Sequence, residues 1–368
     1  MIGRVISRIR GDGTGGALKF AGVEFSYWFA MSVGNYMTVF LQNLGFPASQ
    51  VGIVNALNSA VGIFATPFWG MMGDKIRSVR KVFVITLACQ MILFLLIPAS
   101  AEINIFGFSL AMAWIPLVCF FRNPAMSLLD NWVVQSSYSE GFNYGTIRAF
   151  GSLSFAIIGI ILSFVLPGVG VDCTFYLSPV LLLPVLLLSL TMRDREKTEK
   201  RKSLSFKEMQ VGSLFKSYRY VTFLVFAFFL CMSTNSCYGF LSYLLEDVGA
   251  SASQLGLLTG YRALLEVPGL MLMAVLSKSF SFRKMLIASG VFFAAEVICF
   301  GFAENLVQVI LFSTFNGLGN GLFIASVLNY IYSVSPQHLK ATAQTIYGAV
   351  SSLAGILGNI AGGILIDF

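Results

Sequence analysis

The chain is a succession of apolar stretches, each near the roughly 20 residues that a helix needs to cross a bilayer core, and its positive charges respect that division. All but three of its 24 Lys and Arg residues fall on one side of the membrane these stretches imply. The exceptions, Arg122, Arg148 and Arg262, lie inside apolar stretches. Positive charge gathers on the cytoplasmic side of membrane proteins, so the pattern sets a topology with the N-terminus inside. The same pattern accounts for the net charge of +7 without nucleic acid as a partner. Only 11% of the residues are charged and 57% are hydrophobic, whereas soluble domains carry about 25% charged residues. The composition is that of a polytopic membrane protein.

Walking the chain with the bilayer ruler predicts eleven spans: 18–44, 50–73, 82–99, 107–134, 145–166, 174–192, 219–245, 254–276, 285–303, 306–333 and 342–366. The inner segments then hold Arg4, Arg8, Arg10 and Lys19, the group Lys75 to Lys81, the run from Arg193 to Arg219, the group Lys278 to Lys284, and Lys340. The outer segments hold Glu102, Asp172, Glu246, Asp247, Glu304 and Asp367, with no Lys or Arg. No cleaved signal peptide is expected, because the first residues lack an apolar core. Gly11 to Gly16 reads as a flexible leader. Five of the six cysteines sit in apolar stretches and Cys173 in an outer loop, so neither a disulfide framework nor a zinc site is expected.

The chain also repeats itself. Gly45-Phe-Pro-Ala-Ser-Gln-Val-Gly-Ile53 matches Gly249-Ala-Ser-Ala-Ser-Gln-Leu-Gly-Leu257 without a gap, 204 residues apart. Lys75 and the pair Arg80-Lys81 match Lys278 and the pair Arg283-Lys284 in the loop after the second span of each half. Repeats of this kind build many secondary transporters, with the solute site near the midplane between the halves. The expected organisation is an N-terminal six-helix bundle over 1–192, a solvated cytoplasmic linker over 193–218, and a C-terminal bundle of five helices over 219–368. The repeat leads one to expect a twelfth helix beyond Phe368.

Two motifs carry a family resemblance. Gly70-Met-Met-Gly-Asp74-Lys75-Ile-Arg77-Ser-Val-Arg80-Lys81 resembles the loop motif of the major facilitator superfamily, with Arg77 where that motif usually has glycine. A carboxylate among four cations is not needed for topology. The resemblance implies that Gly70, Asp74, Lys75, Arg80 and Lys81 form a cytoplasmic latch that stabilises the outward-facing state. Tyr144-Gly-Thr-Ile-Arg148-Ala-Phe-Gly151-Ser152 opens the fifth span and resembles the lactose-permease-like branch, which includes phenylpropionate permease relatives. There an Arg on the fifth span works with an acid eighteen positions earlier, which here is Asp130. Three features depart from the sugar-binding members. Phe155 replaces a Trp. Asn316-Gly-Leu-Gly319-Asn320 replaces a titratable pair on the tenth span. Arg262 and Glu296 stand on the eighth and ninth spans with their signs exchanged.

Seven ionisable residues fall within predicted spans: Glu24, Arg122, Asp130, Arg148, Arg262, Glu266 and Glu296. Each would cost about 2.5–3.5 kcal/mol at a helix centre facing lipid, so most must pair or face water. Glu24, nearest a helix end, could snorkel. Arg262 and Glu266 share a helical face at i,i+4, and Glu296 is the other candidate partner of Arg262. Asp130 and Arg148 would meet across the fourth and fifth spans. Each pair could be a fixed bridge fastening helices or a site for solute or proton. Three cations against four anions leave one carboxylate over, and such an acid can take up and release a proton near neutral pH. Glu266 or Glu296 is the expected proton carrier, with Arg262 and Glu24 as further coupling groups.

Polar residues of lower weight complete the reading. Glu24, Asn35, Thr38 and Gln42 recur at helical spacing on the first span, Asn55, Ser59 and Thr66 on the second, and Asn316 and Asn320 on the tenth, where they line a cavity or join helices. The candidate solute contacts are Asp130, Arg148, Arg122, Asn35, Asn316 and Asn320. Gly317-Leu-Gly319-Asn-Gly321, and Gly358 with Gly362, read as helix-packing positions, because no strand precedes the first group as a nucleotide loop requires. His338, the only histidine, sits in a loop and carries no catalytic or metal role. The expected molecule is an all-α membrane protein of the major facilitator fold. It is a monomeric carrier in the cell membrane that moves a small organic solute by alternating access and uses proton symport, with no cofactor. Export of drugs or metabolites on the same fold is the alternative, and a membrane-embedded enzyme is disfavoured by the lone loop histidine. Sugars and nucleosides are the expected solutes, and Arg122 could bind the carboxylate of an organic anion.

Overall fold

A computed structural model describes residues 14–105, 108–142, 144–192, 212–276, 279–336 and 339–368. Lys278, His338, most of the linker and Gly11 to Gly13 of the expected leader lie outside the described residues. The fold is nearly all helical: α1 (Thr14–Val33), α2 (Met37–Asn43), α3 (Ala48–Ile76), α4 (Val79–Leu95), α5 (Ile97–Glu102), α6 (Ala111–Glu140), α7 (Tyr144–Val169), α8 (Cys173–Thr191), α9 (Gly212–Phe215), α10 (Tyr218–Tyr238), α11 (Leu241–Asp247), α12 (Leu255–Leu276), α13 (Phe282–Phe300), α14 (Leu306–Val334) and α15 (Lys340–Asp367). One short antiparallel hairpin, β1 (Asn104–Ile105) with β2 (Phe108–Ser109), precedes α6. Among the described residues, seven helices are long and apolar enough to cross a membrane. Large side chains such as Phe164, Leu187, Val291 and Ile298 point outward, as helices surrounded by lipid require.

Two expectations about helix continuity are corrected. The first span is broken between α1 and α2 at Gly34–Tyr36, and the seventh between α10 and α11 at Gly239–Phe240. Neighbouring side chains crowd both glycines. A Cβ on Gly34 would stand 3.2 Å from both Phe94 and Ser178, and one on Gly239 would stand 2.7 Å from the Asn359 amide oxygen. The break ends the single helical face that Glu24, Asn35, Thr38 and Gln42 were expected to share. Thr14 to Gly16 belong to α1 rather than to a flexible leader, and Cys173 opens α8 rather than sitting in a loop.

The repeat is visible in the backbone. α2 and α11 are both seven residues long and are offset by the same 204 residues. Each ends in the same hydrogen-bonded reversal, with glycine in the left-handed region. Gly45 (φ +79°) donates to the Gln42 carbonyl at 2.9 Å and Phe46 to Leu41 at 3.2 Å. Gly249 (φ +74°) donates to Glu246 at 2.9 Å and Ala250 to Leu245 at 2.8 Å. A third such reversal closes α3, where Arg77 donates to Asp74 at 3.3 Å and Ser78 to Gly73 at 3.2 Å. Its left-handed position (φ +58°) is filled by Arg77, the place where the superfamily motif usually has glycine.

The chain divides into two compact units, residues 1–37 with 61–199, and 38–60 with 200–368. In the first unit α1 packs on α7 and α8, and α4 on α6 and α8. Its core gathers Phe20, Tyr27, Phe83, Trp132 and Leu182. In the second unit α14 packs on α12 and α13, and α10 on α15. Small residues let these backbones approach. A Cβ on Gly317 would meet the Leu265 Cβ at 2.4 Å, and one on Gly321 would meet the Glu266 carbonyl oxygen at 2.6 Å. Gly358 and Gly362 do the same against the Met232 and Ser236 carbonyl oxygens, at 2.4 and 2.6 Å. The Ser236 hydroxyl adds a 2.8 Å bond to the Gly358 carbonyl. Helix association in lipid relies on such close packing. The N-terminal end of α3 is held by Asp367, whose carboxylate accepts from the backbone N–H groups of Ala48 and Ser49, both at 2.8 Å. This supplies a cap and a negative charge at a helix N-terminus, both stabilising.

Gly321→Val should destabilise the protein by at least about 1–3 kcal/mol, the usual range for overpacking, because the added atoms meet backbone. Arg77→Gly should raise stability by about 1 kcal/mol by relieving the left-handed strain. Thermal unfolding in detergent checks both: a Gly321→Val midpoint equal to that of the parent, or a lowered midpoint for Arg77→Gly, contradicts the packing described.

Candidate functional site

Four intramembrane charges of the first unit lie on three helices. Glu24 is on α1, Arg122 and Asp130 are on α6, and Arg148 is on α7. Three of the four meet through aromatic partners. Arg148 Nε lies 3.9 Å from Asp130 Oδ1, and both side chains keep about a quarter of their surface exposed. The guanidinium sits over the Trp28 ring, 4.1 Å from its centroid, a favourable cation–π placement. It also approaches the Ser152 hydroxyl at 3.4 Å. Tyr144 donates to Asp130 at 2.9 Å, and Trp28 Nε1 donates to Glu24 Oε2 at 2.9 Å. The result is a chain of contacts running Glu24, Trp28, Arg148, Asp130, Tyr144. Gly151 permits it, since a Cβ there would stand 2.4 Å from Trp28.

Glu24 does not snorkel. It is wholly buried, and its second oxygen has no hydrogen-bond partner among the described residues. The reason is geometric: Trp28, one turn along α1, draws the carboxylate sideways into the unit. Phe155 lies 6.2 Å from Trp28, edge to face. Sequence reasoning missed Trp28 and Tyr144 as site residues. The i,i+4 spacing of Glu24 and Trp28 was the available signal.

The second unit holds a tighter cluster drawn from four helices. Arg262 on α12 and Glu296 on α13 form a buried ion pair at 2.5 Å. The other Glu296 oxygen accepts from the Tyr238 hydroxyl on α10 and from the Asn316 amide on α14, the latter at 3.1 Å. Arg262 also lies over the Tyr238 ring, 4.5 Å from its centroid. Glu296 is therefore fully engaged, and its ion pair with Arg262 joins α12 to α13. Glu266 accepts from the Asn320 amide at 3.2 Å. Two of the three asparagines named from sequence, Asn316 and Asn320, thus act on carboxylates. The third, Asn35, falls in the helix break and is exposed.

Arg122 corrects the simple pairing of three cations with four anions. No carboxylate among the described residues pairs with it, and its nearest polar contact is the Met37 thioether at 3.7 Å. Glu24 is likewise left without a cation in direct contact among the described residues, since its hydrogen bond comes from the neutral indole of Trp28.

At the end of α3 and the start of α4, Arg80 donates to three carbonyl oxygens that end α8: Ser189 at 3.1 Å, Leu190 at 3.2 Å and Met192 at 2.7 Å. A cation at a helix C-terminus satisfies orphan carbonyls and complements the dipole. Ser78 caps α4 by accepting from Lys81 N–H at 3.0 Å. Asp74 and Lys75 close α3 beside it, and Gly70 faces open space. No group of three or more His, Cys, Asp or Glu residues placed to hold a metal occurs among the described residues.

The MFS_1 like family matches residues 20–368. The uncharacterized transporter YwbF of Bacillus subtilis is 26% identical over 338 residues, covering 87% of this chain and 78% of that protein. The maltose permease of Geobacillus stearothermophilus is 22% identical over 336 residues, covering 90% and 82%. The multidrug resistance protein MdtG of Citrobacter koseri is 24% identical over 241 residues, covering 64% and 57%. Among solved structures, a point mutant of the nucleoside transporter NupG superposes with a TM-score of 0.82 at 16% identity, covering 95% of this chain and 91% of that one. A D-xylose-proton symporter superposes with a TM-score of 0.64 at 14% identity, covering 94% and 88%. The nearly all-helical fold and the match across almost the whole sequence place this chain in the MFS_1 like family of the major facilitator superfamily, as a multi-pass membrane secondary transporter of small molecules and not an enzyme.

Proposed function

We propose that the protein is a proton symporter that carries a small polar organic solute across the cell membrane by alternating access, with its N-terminus in the cytoplasm. The observation that carries this reading is the pair of intramembrane ionic clusters, one in each unit: Asp130–Arg148–Trp28–Glu24 and Arg262–Glu296–Tyr238–Asn316. Buried ion pairs are poor stabilisers, and well-packed apolar residues of similar volume often do better by about 1–4 kcal/mol. Charges kept inside a membrane span therefore read as working groups. In this account Asp130 and Arg148, partly exposed, contact solute, and Asn316 and Asn320 tune the carboxylates. Glu24, buried and held by a neutral indole, exchanges the proton on the first unit, and Glu266 does so on the second. Arg262 and Glu296 respond to it.

The structural roles follow the same reading. Residues 1–192 form a six-helix bundle, 193–218 a cytoplasmic linker and 219–368 a bundle of five helices, acting as a monomer. Gly70, Asp74, Lys75, Arg80 and Lys81 form the cytoplasmic latch, with Arg80 anchoring α4 to the end of α8. The maltose permease and the nucleoside transporter among the similar proteins make sugars and nucleosides the first solutes to test. Likeness to MdtG, a multidrug resistance protein, supports export as the second reading. Uptake in right-side-out against inverted vesicles separates the two.

Neutralising Glu24, Asp130, Glu266 and Glu296 one at a time to Gln or Asn, and following labelled maltose and uridine uptake in vesicles under a pH gradient, tests the proton role. Glu24→Gln or Glu266→Gln should abolish gradient-driven accumulation and retain solute exchange. If all four variants stay coupled to pH, the symport reading fails. Glu296→Gln should also lower stability by about 3–5 kcal/mol, because it strands the Arg262 charge. The joint change Arg262→Met with Glu296→Leu should recover most of that loss in thermal unfolding, and no recovery would contradict the pairing.

A further inference from the structure

The guanidinium of Arg122 is the one intramembrane cation, among the described residues, without an acid. Arg148 has Asp130 and Arg262 has Glu296. Around Arg122 the structure offers only neutral groups. Met37 Sδ lies 3.7 Å from its Nη1, and Cys119 is one turn earlier on α6. The side chain is partly buried, so its charge is neither fully hydrated nor compensated. An unpaired charge in such a place is unfavourable, and a bound anion would offset that cost.

The planar fork of an Arg matches a carboxylate with two parallel bonds. One uncompensated cation balances one negative charge, which fits a monocarboxylate and not a phosphomonoester dianion.

We propose that Arg122 is the anchor for the carboxylate of a small organic monocarboxylate solute. This names the solute class of the carrier and rests on the transport reading above.

The test uses purified full-length protein and matched probes: glucuronate against glucose, and benzoate against benzamide, with maltose and uridine as neutral references. Thermal stabilisation and labelled uptake into liposomes are read for each. At least one of the two carboxylates should stabilise the parent and enter, and its neutral partner should do neither. Arg122→Gln should weaken that carboxylate's effect by at least about tenfold, the loss expected for a charge-assisted bond, and Arg122→Lys should keep part of it. A melting transition of Arg122→Lys like that of the parent shows the fold intact should Arg122→Gln not fold. Absence of any response to both carboxylates overturns the assignment, as does an equal response in Arg122→Gln. Uptake of maltose or uridine that does not depend on Arg122 would sink the anion assignment and leave the carrier reading standing. Failure of every probe to enter would count against both.

Discussion

A charge placed in lipid must find a partner inside the protein or leave the membrane, and the arrangement of this molecule follows from that constraint. Glu296 meets it by accepting from Arg262, Tyr238 and Asn316 at once. That single carboxylate joins α10, α12, α13 and α14. Arg148 meets the constraint more loosely, with a 3.9 Å approach to Asp130 and a face on Trp28. The two clusters therefore differ in kind: one is closed and buried, the other is open and partly wet. A carrier that must bind and release a solute needs at least one of the second kind.

Around those clusters the fold is built from small residues and repeated turns. The close approaches at Gly317, Gly321, Gly358 and Gly362 bring backbones together where lipid supplies no hydrophobic drive. The reversals at Gly45 and Gly249 repeat one device at equivalent places, and the reversal at Arg77 shows the same device with a residue that strains it. Strain at an inner loop end is compatible with a hinge or latch that changes during the transport cycle.

Much of this was legible in the sequence because the bilayer simplifies the reading. Apolar length indicated a multi-pass membrane protein, and the motifs around Asp74 and Arg148 indicated the family. The pairing of Asp130 with Arg148 followed from the resemblance, and that of Arg262 was narrowed to two acids. What stayed hidden depended on side-chain direction. A helix pattern cannot show that the first and seventh spans break at Gly34–Tyr36 and Gly239–Phe240, or that Phe94, Ser178 and Asn359 of other elements crowd those glycines. It cannot show that Glu24 turns inward to Trp28 rather than outward to the interface. Counting charges suggested that every cation would find an acid, and Arg122 fails that count: its polar contact among the described residues is the uncharged Met37 thioether.

The central claim is that a carboxyl inside the membrane gains and loses a proton during transport. Infrared difference spectroscopy of the purified protein, taken across the pH range in which it stays folded, observes this most directly. The account predicts a carboxylic acid carbonyl band that titrates and disappears in Glu24→Gln or in Glu266→Gln. A spectrum with no titrating buried carboxyl, or a band unchanged in both variants, would contradict it.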